Sequence, residues 1–123
     1  SLNPAIDTGQ IVGGFIQGMG WLCSEELKWS DSGALLTTGA STYKIPAIGD
    51  TPAHFEVKIK PNHSNHENTI HKSKAVGEPP LMLAISAWLS IKNAIFNANN
   101  ENLTGLNAPA SFEEVFFSLN KRS

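Results

Sequence analysis

The sequence predicts an α+β fold, on three observations. Apolar residues in the glycine-rich stretch NPAIDTGQIVGGFIQGMGWL recur at helical spacing. SEELKWSDSGALLTT reads as two short strands about a turn, and HFEVKIK alternates apolar and polar residues as a strand does. A run free of glycine and proline, residues 81–97, follows Pro79-Pro80 and is long enough for several helical turns.

The first element is a helix whose stripe is Ile11, Phe15, Ile16, Met19 and Leu22. Asp7 with Gln10 three residues later reads as a capping box. Gly9, Gly13, Gly14, Gly18 and Gly20 oppose the helix, each by about 1 kcal/mol relative to alanine. Glycines at four-residue steps present a bare face to a second backbone or to a flat ligand. Short antiparallel strands come next, with Asp31-Ser32-Gly33 as the hairpin turn. Pro46, Gly49 and Pro52 punctuate a connection. In HFEVKIK, Phe55, Val57 and Ile59 face inward and Glu56, Lys58 and Lys60 face water, a half-buried strand. PNHSNHENT is a polar loop. The helix after Pro80 is expected to be long and buried. A polar linker then leads to a C-terminal helix, where Ser111 and Glu114 form a second capping box.

The totals exclude several functions. At 123 residues the chain is one domain at most, and 41% hydrophobic residues suffice for a core. A net charge of −2 without a basic cluster gives no footprint for nucleic acid, since Lys121 and Arg122 are only a charged end. One cysteine, Cys23, excludes an internal disulfide and fits a reducing, cytoplasmic setting. The apolar residues after Pro80 are interrupted by Ser86, Ser90, Lys92 and Asn93, so no membrane span is expected, and SLNPAIDTGQ has no signal-peptide pattern. The start without Met suggests a piece of something longer.

The stretch SKAVGEPPLMLAI carries the sharpest signal. It sets one carboxylate, Glu78, between a glycine and two prolines. Gly77 permits close approach of another group, and Pro79-Pro80 restrict the backbone around Glu78. A carboxylate there is either a cap or a placed functional group.

NPAIDTGQIVGGFIQGMG, STYKIPA and SKAVGEPPL, in this order and spacing, resemble the molybdenum hydroxylases. The match is to the C-terminal part of the molybdopterin-binding subunit of bacterial xanthine dehydrogenase; it covers nearly the whole chain, so residues 1–123 read as one such fragment. The resemblance implies oxidative hydroxylation of a purine, with water as oxygen source and Glu78 as catalytic base. It implies cofactor contact at Gln10, with Gly77 beside it, and a molybdenum-molybdopterin cofactor whose site is completed outside this chain. Iron–sulfur clusters and FAD belong to the rest of such an enzyme. The partners implied are the purine, the remainder of the molybdopterin-binding subunit and the iron–sulfur/flavin subunit. Val12 and Thr8 depart from the family pattern, in which glutamate and an aliphatic residue are common. An aldehyde or other N-heterocycle hydroxylase of the same family is the alternative, and a degenerate remnant acting as an interaction module is a third reading.

Other residues read as structural. His54, His63, His66 and His71 are expected to be solvated rather than metal ligands. Gln17 reads as one polar residue on a helix face, Glu25-Glu26 as a solvated pair on a strand, and Trp21, Trp29 and Trp88 as core or interface aromatics. Tyr43-Lys44 lacks the spacing of a Tyr-x-x-x-Lys dehydrogenase motif.

Overall fold

In the computed structural model, residues 1–61, 64–99 and 105–120 are described. Among the described residues four α-helices carry the fold: α1 (Pro4–Cys23), α2 (Glu78–Leu83), α3 (Ile85–Ala98) and α4 (Phe112–Asn120). The expected α+β architecture does not form, because the described residues contain no strand and no sheet. A single bridge, Trp29 to Leu35, is all that the expected strand pair produces. Its turn does form: Gly33 is left-handed (φ 83°), and its N–H donates to Ser30 O at 2.9 Å. A lone hairpin is marginal without a third strand or a packed face. HFEVKIK keeps its alternation, with Phe55, Val57 and Ile59 half-buried and Glu56, Lys58 and Lys60 exposed, but it has no neighbour with which to build a ladder. Phe55 rests on Phe15 of α1 with ring centroids 5.1 Å apart.

The N-terminal helix starts earlier than its capping pattern predicts. Asn3, in extended geometry, is the cap, its side chain accepting from Ile6 N–H at 3.2 Å, and Pro4 occupies the first turn. Asp7 sits inside the helix, where its charge suits the N-terminal end of the dipole. The five glycines do not break α1, because some of them are where α2 packs. A Cβ on Gly18 would lie 2.3 Å from Leu81 O and 2.8 Å from Ala84 Cβ. One on Gly14 would lie 3.2 Å from Pro80 Cβ. Close backbone approach thus supplies the packing that offsets poor helix propensity.

After Pro80 the expected long buried helix is two helices, parted at Ala84. Together Glu78–Ala98 is 21 residues, long and apolar enough to cross a membrane by length and composition alone, a test that core helices of soluble proteins also pass. In this fold α2 is seated on α1, and α3 continues toward α4. Leu83, Ile85 and Leu89 are exposed rather than buried.

A small core joins α3 to the C-terminal segment. Ile95, Leu106 and Ala110 are buried, with Trp88, Ile91 and Val115 packed around them. Ser118, fully buried, donates to Gly105 O at 3.2 Å, and Asn99 Nδ2 donates to Ser118 O at 3.1 Å. Only half of the Ser111–Glu114 box forms. Ser111 Oγ accepts from Glu114 N–H at 3.4 Å, while the Glu114 carboxylate turns to Asn107 N–H at 2.9 Å.

The loop after α1 is latched to the helix C-terminus. Tyr43 Oη donates to Glu25 Oε2 at 2.6 Å, and Ser24 Oγ donates to Lys44 O at 3.2 Å. The hydrogen bond to Glu25 raises the Tyr43 phenol above its ordinary value, with lesser help from burial and the nearby charge. Asp50 caps the next turn, accepting from Ala47 N–H at 2.7 Å and Lys44 Nζ at 3.2 Å. Those two donors hold its carboxyl below the ordinary range.

A compact monomer of this mass exposes about 6,400 Å² by surface–mass scaling. This chain exposes 9385 Å². Its apolar residues suffice for a core in number, but Trp21, Trp29, Phe112, Phe116 and Phe117 are more than half exposed. Much apolar surface is therefore left open to solvent.

Candidate functional site

One face of α1 carries Gln10, Gly13, Gly14 and Gln17, at the i, i+3, i+4, i+7 spacing that aligns side chains on a helix. Packing α2 beside that face brings Gly77, Glu78 and Leu81 opposite it. The result is an open cleft of about 570 Å³ that also includes Gly9. The three residues singled out from the sequence, Gln10, Gly77 and Glu78, therefore line one cleft.

Local geometry explains each placement. Gly77 precedes α2 in a conformation that is neither helical nor β (φ −171°, ψ −121°), so the chain enters from outside the helix and its bare backbone faces the cleft. Glu78 opens the helix, and Pro79 and Pro80 follow in its first turn, where a missing N–H is no loss. The α2–Gly18 seam fixes where that turn stands. The described residues hold no ion pair or hydrogen bond to Glu78, and Lys74 does not pair with it. The carboxylate is exposed.

Gly20 of α1 packs on Pro46 and Glu25, and the glycines around the cleft divide into two sets. Gly14 and Gly18 are filled by α2, whereas a Cβ on Gly9, Gly13 or Gly77 would meet nothing within 4 Å. The second set is a cradle of bare backbone, and a methyl group there would project into open space. Two carboxamides border it, each able to donate and accept. Bare backbone edged by carboxamides, with a carboxylate at one side, fits a flat, polar heterocyclic cofactor. Gln17 is the lining residue that sequence reasoning set aside. Its signal was available in the two-turn spacing from Gln10.

The remaining polar residues lie elsewhere. His54, His66 and His71 are exposed, and His63 lies outside the described residues, as do Lys121 and Arg122. No group of three or more His, Cys, Asp or Glu suited to a metal occurs among the described residues. Glu25 and Glu26 follow α1 in irregular chain, not on a strand, and Glu25 serves the Tyr43 latch. Cys23 is half-buried, and burial pushes its thiol up. Trp88 edges the α3–α4 core under the Lys92 ammonium, 5.2 Å from the ring centroid.

A glycine-bare helix paired through a Gly-Glu-Pro-Pro turn, with carboxamides facing a carboxylate, defines a cofactor-binding segment. The sequence pattern of the molybdopterin cofactor-binding domain matches residues 1–52, which include α1 and the latch. Xanthine dehydrogenase 2 of Arabidopsis thaliana is 48% identical over 126 residues, covering 94% of this chain and 9% of that protein. Xanthine dehydrogenase/oxidase of Felis catus is 48% identical over 122 residues, and xanthine dehydrogenase of Dictyostelium discoideum 47% over 119, each with the same coverage. The chain belongs to the molybdenum hydroxylases, as a segment of one. It spans about 9% of the length of the curated relatives it matches.

Proposed function

We propose that this segment forms one wall of the cofactor cleft of a molybdenum hydroxylase acting on purines, with Glu78 as its general base. The carrying observation is that Glu78 and Gln10 line the same cleft across the α1–α2 seam. The names of the relatives support the xanthine dehydrogenase branch over an aldehyde hydroxylase. The molybdenum-molybdopterin group supplies two-electron oxidation when bound, and iron–sulfur clusters and FAD in the rest of the enzyme carry the electrons away. Gln10 would hold the pterin through its carboxamide, while Gly9, Gly13 and Gly77 let the ring lie against backbone. Glu78, fixed by its two prolines, accepts a proton at a carboxylate oxygen as the purine carbon is hydroxylated.

The exposed apolar faces of α2, α3 and α4 pack on the remainder of the molybdopterin-binding subunit, which also brings the other cofactor contacts and desolvates Glu78. The segment by itself is inactive. The test is Glu78→Gln in the complete enzyme. This isostere keeps the shape and removes the base, so purine turnover is expected to fall by about 10²–10⁴-fold, the range for lost general base catalysis. Molybdenum content is expected to be unchanged. Full turnover in that variant removes the base assignment.

A further inference from the structure

We propose that Gln17 is a second cofactor-positioning carboxamide, acting with Gln10 across the bare strip of α1; this rests on the cofactor reading of the cleft. Gln10 and Gln17 are seven residues apart, which on an α-helix is about 10.5 Å of rise and a rotation of about 20° from alignment. Both line the cleft with Gly13 and Gly14 between them. No described residue hydrogen-bonds either side chain, and both are exposed to the cleft.

Geometry gives the pair a role that one amide cannot fill. A single hydrogen bond fixes a point on a flat ring and leaves it free to rotate in its own plane. A second contact two turns along the same face fixes the in-plane orientation. The absence of Cβ at Gly13 keeps that plane against the helix. A carboxamide suits the task, since it can donate to a ring nitrogen or accept from a ring N–H.

Gln17→Ala and Gln17→Glu in the complete enzyme test this, the second keeping shape and reach but only accepting. Molybdenum and pterin per subunit are measured after prolonged dialysis, with the Mo(V) paramagnetic resonance spectrum of what remains. Gln10→Ala is carried alongside. Several-fold depletion in both Gln17 variants, with altered spectra and unchanged helix content, is expected. Should Gln17→Ala accumulate poorly, Gln17→Asn, which withdraws the amide by one methylene, is read in the same way. Full retention and an unaltered spectrum for Gln17, with Gln10→Ala depleted, overturn the inference and leave the cleft reading intact. Full retention in both overturns the cleft reading as well.

Discussion

Adding one methyl group to α1 is expected to have opposite effects at two positions. At Gly18 a Cβ would stand 2.3 Å from Leu81 O and 2.8 Å from Ala84 Cβ. Carbon–oxygen and carbon–carbon contacts of that kind relax to about 3.5 Å, so α2 must retreat by about 1 Å. The atoms that must yield are backbone and a Cβ, not the tip of a flexible side chain. Overpacking costs about 1–3 kcal/mol, and depth of overlap places this case at the upper end. Alanine returns up to about 1 kcal/mol in helix propensity, leaving a net loss of about 2 kcal/mol. At Gly13, where a Cβ meets nothing within 4 Å, only the propensity gain applies. Amide hydrogen exchange on the cofactor-free complete polypeptide separates the two. Exchange across α1 and α2 is expected to quicken about 30-fold in Gly18→Ala and to slow about 5-fold in Gly13→Ala, at about 1.4 kcal/mol per tenfold. Gly13→Ala should nevertheless hold less molybdenum, since its methyl group occupies the cradle. Equal exchange in Gly18→Ala and the unaltered protein would refute the seam, and with it the placement of Glu78.

Two further outcomes are expected. Tyr43 is the single tyrosine of the chain, so phenolate absorbance of the isolated chain reports on it alone. Its folded value is raised, so the latch to Glu25 is complete below the ordinary pKa of 10.0 and is lost as pH rises through the higher folded value; titration at 10.0 or below in the folded chain would discount the bond. The isolated chain, which supplies one wall of the cleft, is expected to purify with a molybdenum-to-protein ratio near zero, and a ratio near one by metal analysis would show that these residues suffice.

Some features were legible locally. The helical spacing of Ile11, Phe15 and Met19, the prolines after Glu78 and the Asp31-Ser32-Gly33 turn act over a few residues, and periodicity and turn chemistry report on that range. Gln10, Gly77 and Glu78, the residues proposed for the site, were singled out through motifs, and the fold brings them to one cleft. The strands failed for a non-local reason. The alternation of Phe55, Val57 and Ile59 is a correct statement about which side chains turn inward, but a strand also needs a neighbour to accept its N–H groups. The described residues provide none.

What the sequence by itself determined is the family, the turn that holds Glu78, and the two-sided character of each segment. Tertiary structure decided which glycines serve packing and which stay bare. That division depends on where α2 crosses α1: Gly18 meets Leu81 and Ala84, while Gly9 and Gly13 meet nothing. It also decided that Gln17 belongs to the cleft and that Glu78 remains exposed. Both follow from where α2 crosses α1, which sets Gln17 on the cleft and leaves Glu78 open at its edge.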